Sequence, residues 1–127
     1  MEPKFAPPFQ EDKAVKSIGI IGFGDMGRLY ATTFQKAGWK NIFVCDVEEK
    51  YKSLSTELFN SGIAVLLNGY AVARQSDIVI FSVEAAKIDS VVQKYGPSMK
   101  LNAIASGQVC FLIAFKFHSC CHTLINF

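Results

Sequence analysis

Gly22, Gly24 and Gly27 are spaced G-x-G-x-x-G within the run Ile18-Gly19-Ile20-Ile21-Gly22-Phe23-Gly24-Asp25-Met26-Gly27-Arg28-Leu29-Tyr30. An apolar strand pattern precedes the glycines, and an amphipathic helix pattern begins among them. In that context the spacing can cradle a pyrophosphate. Gly22 permits a sharp turn off the strand, and Gly24 lets backbone amides approach phosphate oxygens with no Cβ between them. Gly27 lets the helix pack closely on the strand. The amides from Phe23 to Gly27 and the positive end of the helix dipole then face the anion. The competing reading is a structural strand–turn–helix connection with no ligand.

A dinucleotide site also calls for an acid about 20 residues further on, at the end of the second strand, facing the adenosine ribose. Asp46 closes the apolar run N-I-F-V-C-D and stands there. Its alternative role is to cap the helix that follows, and the two roles are compatible. A carboxylate at this point favours NAD, whereas an NADP site adds a nearby cation. Val47 offers none, and Lys50 and Lys52 follow within reach, so both coenzymes stay open on the residues alone. Ser82-Val83-Glu84-Ala85 closes a later strand. Ligands of open α/β sheets bind outside the carboxyl ends of the strands, so Ser82 and Val83 should approach the nicotinamide half. Glu84 is either a catalytic carboxylate or the first-turn acid of the helix it opens. Ser106-Gly107-Gln108 takes the equivalent place one strand later.

Strand and helix patterns alternate around these residues. A helix is expected over 25–37, with Met26, Leu29, Tyr30, Thr33, Phe34 and Ala37 on its apolar face and Gly38 as its stop. A strand over 41–46 leads to a helix over 48–59 carrying Tyr51, Leu54, Leu58 and Phe59. Further strands are expected over 63–67, 77–83 and 101–106. A helical turn near 70–75 and a helix over 84–95, ended by Gly96-Pro97, lie between them. Strands separated by helices imply right-handed crossovers and a parallel sheet covered on both faces. The expected fold is α/β: a doubly wound, Rossmann-like dinucleotide-binding domain over residues 17–108. A polar, proline-bearing lead-in over 1–16 precedes it.

The chain's 127 residues suit one domain with an apolar core, and its net charge of +2 carries no electrostatic footprint for nucleic acid or an anionic membrane. No secretory leader pattern opens it. Cys45, Cys110, Cys120 and Cys121 are expected as free thiols in a reducing, cytoplasmic setting.

Residues 18–108 resemble the amino-terminal part of the fungal prephenate dehydrogenases, which are NADP-dependent enzymes of tyrosine biosynthesis. The resemblance rests on I-G-I-I-G-F-G-D-M-G-R-L-Y-A, A-G-W, C-D-V-E-E-K-Y, A-R-Q-S-D, I-F-S-V-E-A and K-Y-G-P-S. G-D-M-G alone is shared with the wider superfamily of hydroxyacid and 6-phosphogluconate dehydrogenases; S-V-E-A and Y-G-P-S narrow it. The resemblance implies oxidative decarboxylation of prephenate to 4-hydroxyphenylpyruvate, with NADP as coenzyme and NAD as the alternative. It implies a histidine base, basic groups for the substrate carboxylates, and an all-helical second domain that forms a homodimer. The coenzyme-contacting set it implies here is Gly22, Phe23, Gly24, Asp25, Met26, Gly27, Asp46, Ser82 and Val83. Some members follow the strand-two Asp with Arg, where this chain has Val47. The alternative function is a non-catalytic dinucleotide-binding module, or another member of the 6-phosphogluconate and hydroxyacid dehydrogenase superfamily.

The composition changes after Gln108. Residues 109–127 contain none of the chain's eleven acids and four of its eleven Phe. A membrane anchor would need about 20 predominantly apolar residues, and Lys116, His118, Ser119 and His122 interrupt this stretch. His118, Cys120, Cys121 and His122 lack ordinary metal-ligand spacing, so no metal is expected. An apolar helix or strand covering the sheet is a further reading. The favoured expectation is a translated intron, because Val109-Cys110 can be encoded by GTATGT, a common fungal splice-donor sequence. On that reading the fold is incomplete at its C-terminus, and neither His118 nor His122 is a catalytic candidate.

Overall fold

The computed structural model describes residue 13 and residues 15–107. Among the described residues five strands, β1 (Ser17–Ile21), β2 (Asn41–Cys45), β3 (Ile63–Val65), β4 (Ile78–Phe81) and β5 (Ile104–Gly107), alternate with four helices. These are α1 (Asp25–Lys36), α2 (Tyr51–Glu57), α3 (Gly69–Gln75) and α4 (Ala85–Tyr95). Short 3₁₀ turns at Glu48–Lys50 and Gly96–Ser98 complete the described elements. The strands form one sheet in the order β3-β2-β1-β4-β5, with every neighbouring pair parallel. The order reverses at β1, so the crevice beside its carboxyl end is the topological switch point. The doubly wound parallel fold expected from the alternation is the one observed.

Alternation along the strands divides the core in two. Ile18, Ile20, Ile42, Val44 and Ile80 pack with Phe23, Ala31 and Leu54 on the face covered by α1 and α2. Ile21, Cys45, Val79, Phe81 and Ala105 pack with Val72, Ala73, Ile88 and Val92 on the face covered by α3 and α4. Burying a side chain such as Phe81 contributes roughly 1.5–3 kcal/mol. β1 sits at the centre, paired with β2 from Ser17↔Asn41 to Ile21↔Cys45 and with β4 from Ile18↔Ile78 to Ile21↔Phe81. A Cβ on Gly19 would meet the Ser76 hydroxyl and Val72, so this glycine sets how close α3 lies to the sheet.

Several expected apolar faces shift. On α1 the buried stripe is Gly27 and Ala31, with Tyr30 and Phe34 half-buried, while Met26, Leu29, Thr33 and Ala37 are exposed. The helix is rotated because Gly27, rather than Met26, must face β1. The second helical segment ends at Glu57, and left-handed Asn60 then redirects the chain, so Phe59 is exposed instead of packing inward. The fifth strand begins at Ile104: Asn102, also left-handed, turns the chain, leaving Leu101 in an exposed turn.

Candidate functional site at the carboxyl edge

The turn after β1 is built by contacts between glycines. Gly22 has φ +100°, and a Cβ there would lie 2.2 Å from the Ser82 carbonyl oxygen and 2.9 Å from Val83 Cγ1. A Cβ on Gly27 would lie 2.2 Å from the Gly22 carbonyl oxygen. These two glycines are required by the protein's own packing. Gly24 differs. Its φ is −81°, and a Cβ there would meet nothing within 4 Å. The fold would accept a side chain at Gly24, which leaves the space in front of it free for a ligand.

Gly24 is the N-cap of α1 and has no side chain to satisfy the first turn. Arg28 N–H donates to Gly24 O at 3.0 Å, so the N–H groups of Asp25, Met26 and Gly27 precede the helical ladder. Gly24, Asp25 and Met26 are exposed, and Phe23 is buried against the α1–α2 face of the sheet. Asp25 places an acid in the first turn. The Arg28 guanidinium lies 4.7 Å over the Phe23 ring and is bonded through both terminal nitrogens to Glu57. The Glu57 contact raises the Arg28 pKa and lowers that of Glu57.

Asp46 stands beside the turn. Its Oδ2 accepts from Phe23 N–H at 3.1 Å and its Oδ1 from Val47 N–H at 2.8 Å. Lys50 Nζ is 3.9 Å from Oδ2. The carboxylate therefore ties the end of β2 to the glycine turn. It does not cap the following helical turn, whose N-cap is Val47 with no side-chain hydrogen bond. Opposite Gly22, Ser82 is buried and its N–H donates to Ile21 O at 2.8 Å. Glu84 is exposed at the N-cap of α4 and makes no capping hydrogen bond.

A cavity of about 100 Å³ opens between these elements, lined by Ile21, Gly22, Cys45, Asp46, Val47, Val83, Val91 and Tyr95. Its lining is mainly apolar side chains with one carboxylate, suited to a flat ring system beside a polar sugar. Cys45 forms part of its wall, and burial pushes the thiol up to about 12. Val91 and Tyr95 reach it from α4. A larger cavity of about 560 Å³ lies at the opposite, amino edge of the sheet, beside Lys16, Trp39, Asp77 and Lys100. Volume favours that one, but the switch-point geometry and the glycine turn favour the smaller, since ligands of such sheets bind at the carboxyl edge.

Residues 17–117 match the family described as NADP oxidoreductase coenzyme F420-dependent. The chain belongs to this family. The match runs past Gln108, where the sequence changes composition. Among curated proteins, the chain is 51% identical over 96 residues to the probable prephenate dehydrogenase [NADP(+)] of Schizosaccharomyces pombe, covering 76% of this chain and 22% of that protein. It is 49% identical over 96 residues to the prephenate dehydrogenase [NADP(+)] of Saccharomyces cerevisiae, covering 76% of this chain and 21% of that protein. The chain thus spans about a fifth of the length of these relatives. Among solved structures, it superposes on the prephenate dehydrogenase of A. aeolicus in complex with hydroxyphenyl propionate and NAD+ with a TM-score of 0.65. That match has 18% identity and covers 84% of this chain and 38% of the other. The Rossmann-like fold of this member of the family is shared with that structure.

The glycine turn, Asp46, Ser82 and Val83 all come together at this edge. Among the described residues there is no cluster of side chains able to hold a metal ion. No helix of the described residues is long and apolar enough to cross a membrane. The chain's two histidines, His118 and His122, and Cys110, Cys120 and Cys121 lie outside the described residues, as does the whole of 109–127.

Proposed function

We propose that this chain is the coenzyme-binding part of a cytoplasmic NADP-dependent prephenate dehydrogenase. The observation that carries the reading is Gly24: of the three glycines in the turn, it alone is not required by packing or backbone geometry. Gly22 and Gly27 shape the turn; the Phe23 N–H is taken by Asp46, and the amides from Gly24 to Gly27 bind the pyrophosphate. Asp46 faces the adenosine ribose, and Ser82 and Val83 border the nicotinamide half. The two fungal relatives carry NADP(+) in their names, which supports NADP over NAD. When bound, the nicotinamide supplies a hydride acceptor. The residues of this chain bind and orient it.

On this reading the reaction is the oxidative decarboxylation of prephenate to 4-hydroxyphenylpyruvate. No histidine lies among the described residues. This reading leaves the proton-abstracting base, the cations for the substrate carboxylates and the dimer contacts to residues outside those described. The test is nicotinamide fluorescence with NADPH and NADH, on the wild-type chain and Gly24→Val. The wild type should bind, and the variant should keep its far-UV circular dichroism while losing binding. Binding retained by a folded Gly24→Val would place the site elsewhere, and no binding to the wild type at millimolar coenzyme would remove the cofactor role.

A further inference from the structure

We propose that Lys50 selects the phosphorylated form of the coenzyme by meeting a phosphate on the 2′ position of the adenosine ribose. This assignment rests on the dinucleotide reading of the carboxyl edge. A carboxylate at the end of β2 ordinarily repels a 2′-phosphate, and a phosphate-accepting site needs a neighbouring cation. Asp46 is constrained here: one oxygen accepts from Phe23 N–H and the other from Val47 N–H, and its side chain is only 18% exposed. Both oxygens are thus engaged by backbone N–H groups, one from the glycine turn and one from the residue after Asp46. Lys50 lies four residues on with its side chain 61% exposed, and its ammonium is 3.9 Å from Asp46 Oδ2. It offsets that carboxylate and projects from the same lip.

The other cations nearby fit less well. Arg28 is held through both terminal nitrogens by Glu57 and lies 4.7 Å over the Phe23 ring. Lys52 is two residues beyond Lys50, roughly 200° further round a helical turn, and so points away from Asp46. Val47, which directly follows Asp46, is uncharged. Lys50 is therefore the cation placed to follow a ligand. Its exposed pairing with Asp46 is of the weak kind, so changing partner to a phosphate costs little. An ammonium with three rotatable donors suits a phosphate whose orientation is set by the ribose.

The test uses the full chain, titrated with NADPH and NADH by nicotinamide fluorescence, and with adenosine 2′,5′-bisphosphate and 5′-AMP by calorimetry. The wild type should prefer the 2′-phosphorylated member of each pair. Lys50→Gln should weaken NADPH and the bisphosphate about tenfold to a hundredfold and leave NADH and 5′-AMP within about twofold. Lys50→Arg should retain the preference, and added salt should reduce it in the wild type. A wild type that binds with no preference overturns the assignment. So does a preference that survives Lys50→Gln, or an equal loss of all four ligands in that variant. Failure of every ligand to bind the wild type overturns the cofactor reading itself and this assignment with it, a result distinct from the other three.

Discussion

Alanine substitutions at the three glycines should separate those that build the turn from the one that serves a ligand. Gly27→Ala drives a methyl to 2.2 Å from the Gly22 carbonyl oxygen, a backbone atom that cannot swing aside. Overpacking of this kind costs about 1–3 kcal/mol. Gly22→Ala meets the Ser82 carbonyl oxygen at the same distance and adds a positive φ of +100°, itself worth about 1–2 kcal/mol for a residue with a Cβ. Gly24→Ala meets nothing and keeps an ordinary φ. Alanine is a poorer N-cap than glycine, but it restricts the unfolded chain by about 0.4–1 kcal/mol in compensation, so the net change should stay within about 1 kcal/mol. For a domain of this size each kcal/mol moves Tm by about 4–8 °C. Gly22→Ala should therefore fall furthest, by more than about 10 °C; Gly27→Ala should fall by several degrees, and Gly24→Ala should melt close to the wild type. Thermal unfolding by circular dichroism checks the order. Coenzyme titration of the same three proteins checks that Gly24→Ala, alone among the stable ones, has weakened binding. The reasoning is refuted if Gly24→Ala is as unstable as Gly27→Ala, or if it is stable and binds like the wild type.

Other substitutions probe the remaining contacts. Asp46→Ala removes the acceptor of Phe23 N–H and should cost about 1–3 kcal/mol, measured by urea unfolding, with NADPH and NADH weakened together because the turn itself loosens. Cys45, whose thiol burial pushes to about 12, should resist alkylation at neutral pH in the native chain and react after denaturation; mass spectrometry of its peptide reads both states. Burial alone would raise the Asp77 pKa, but Ser17 N–H at 2.9 Å and Lys100 at 3.2 Å together hold it below the ordinary 3.8. With the native pKa the lower one, the unfolded state binds more protons in that window. The stabilisation is complete above about pH 3.8 and is lost as pH falls through the native value, so Asp77→Asn should flatten the acid limb of a stability–pH curve.

Much of this was legible in the sequence, for physical reasons that differ by residue. Continuous apolar runs such as Ile78-Val79-Ile80-Phe81 mark strands covered on both faces, and the glycine spacing with Asp46 marked the carboxyl edge of the sheet as the candidate site. The rotation of α1 was not legible. Hydropathy alone places Met26 and Leu29 on the inner face, whereas the contact between Gly27 and the Gly22 carbonyl turns Ala31 inward instead. The ends of α2 and the start of β5 were missed because Asn60 and Asn102 adopt left-handed backbone, which asparagine signals weakly. The role of Asp46 as a tie to Phe23 N–H depends on a contact between residues 23 positions apart in the chain, and local patterning does not report that. Lys50 was visible only as one of two nearby lysines; the helical turn that separates it from Lys52 distinguishes them.

The central claim is that a dinucleotide lies across the carboxyl edge, over the Gly24 opening. An amide chemical-shift titration of the isotopically labelled chain with NADPH tests it most directly. The largest shifts should fall at Phe23 to Arg28, with further shifts at Val47 to Lys50 and at Ser82 and Val83. Shifts concentrated instead around Lys16, Trp39, Asp77 and Lys100, beside the larger cavity at the opposite edge, or no shifts at saturating coenzyme, would contradict it.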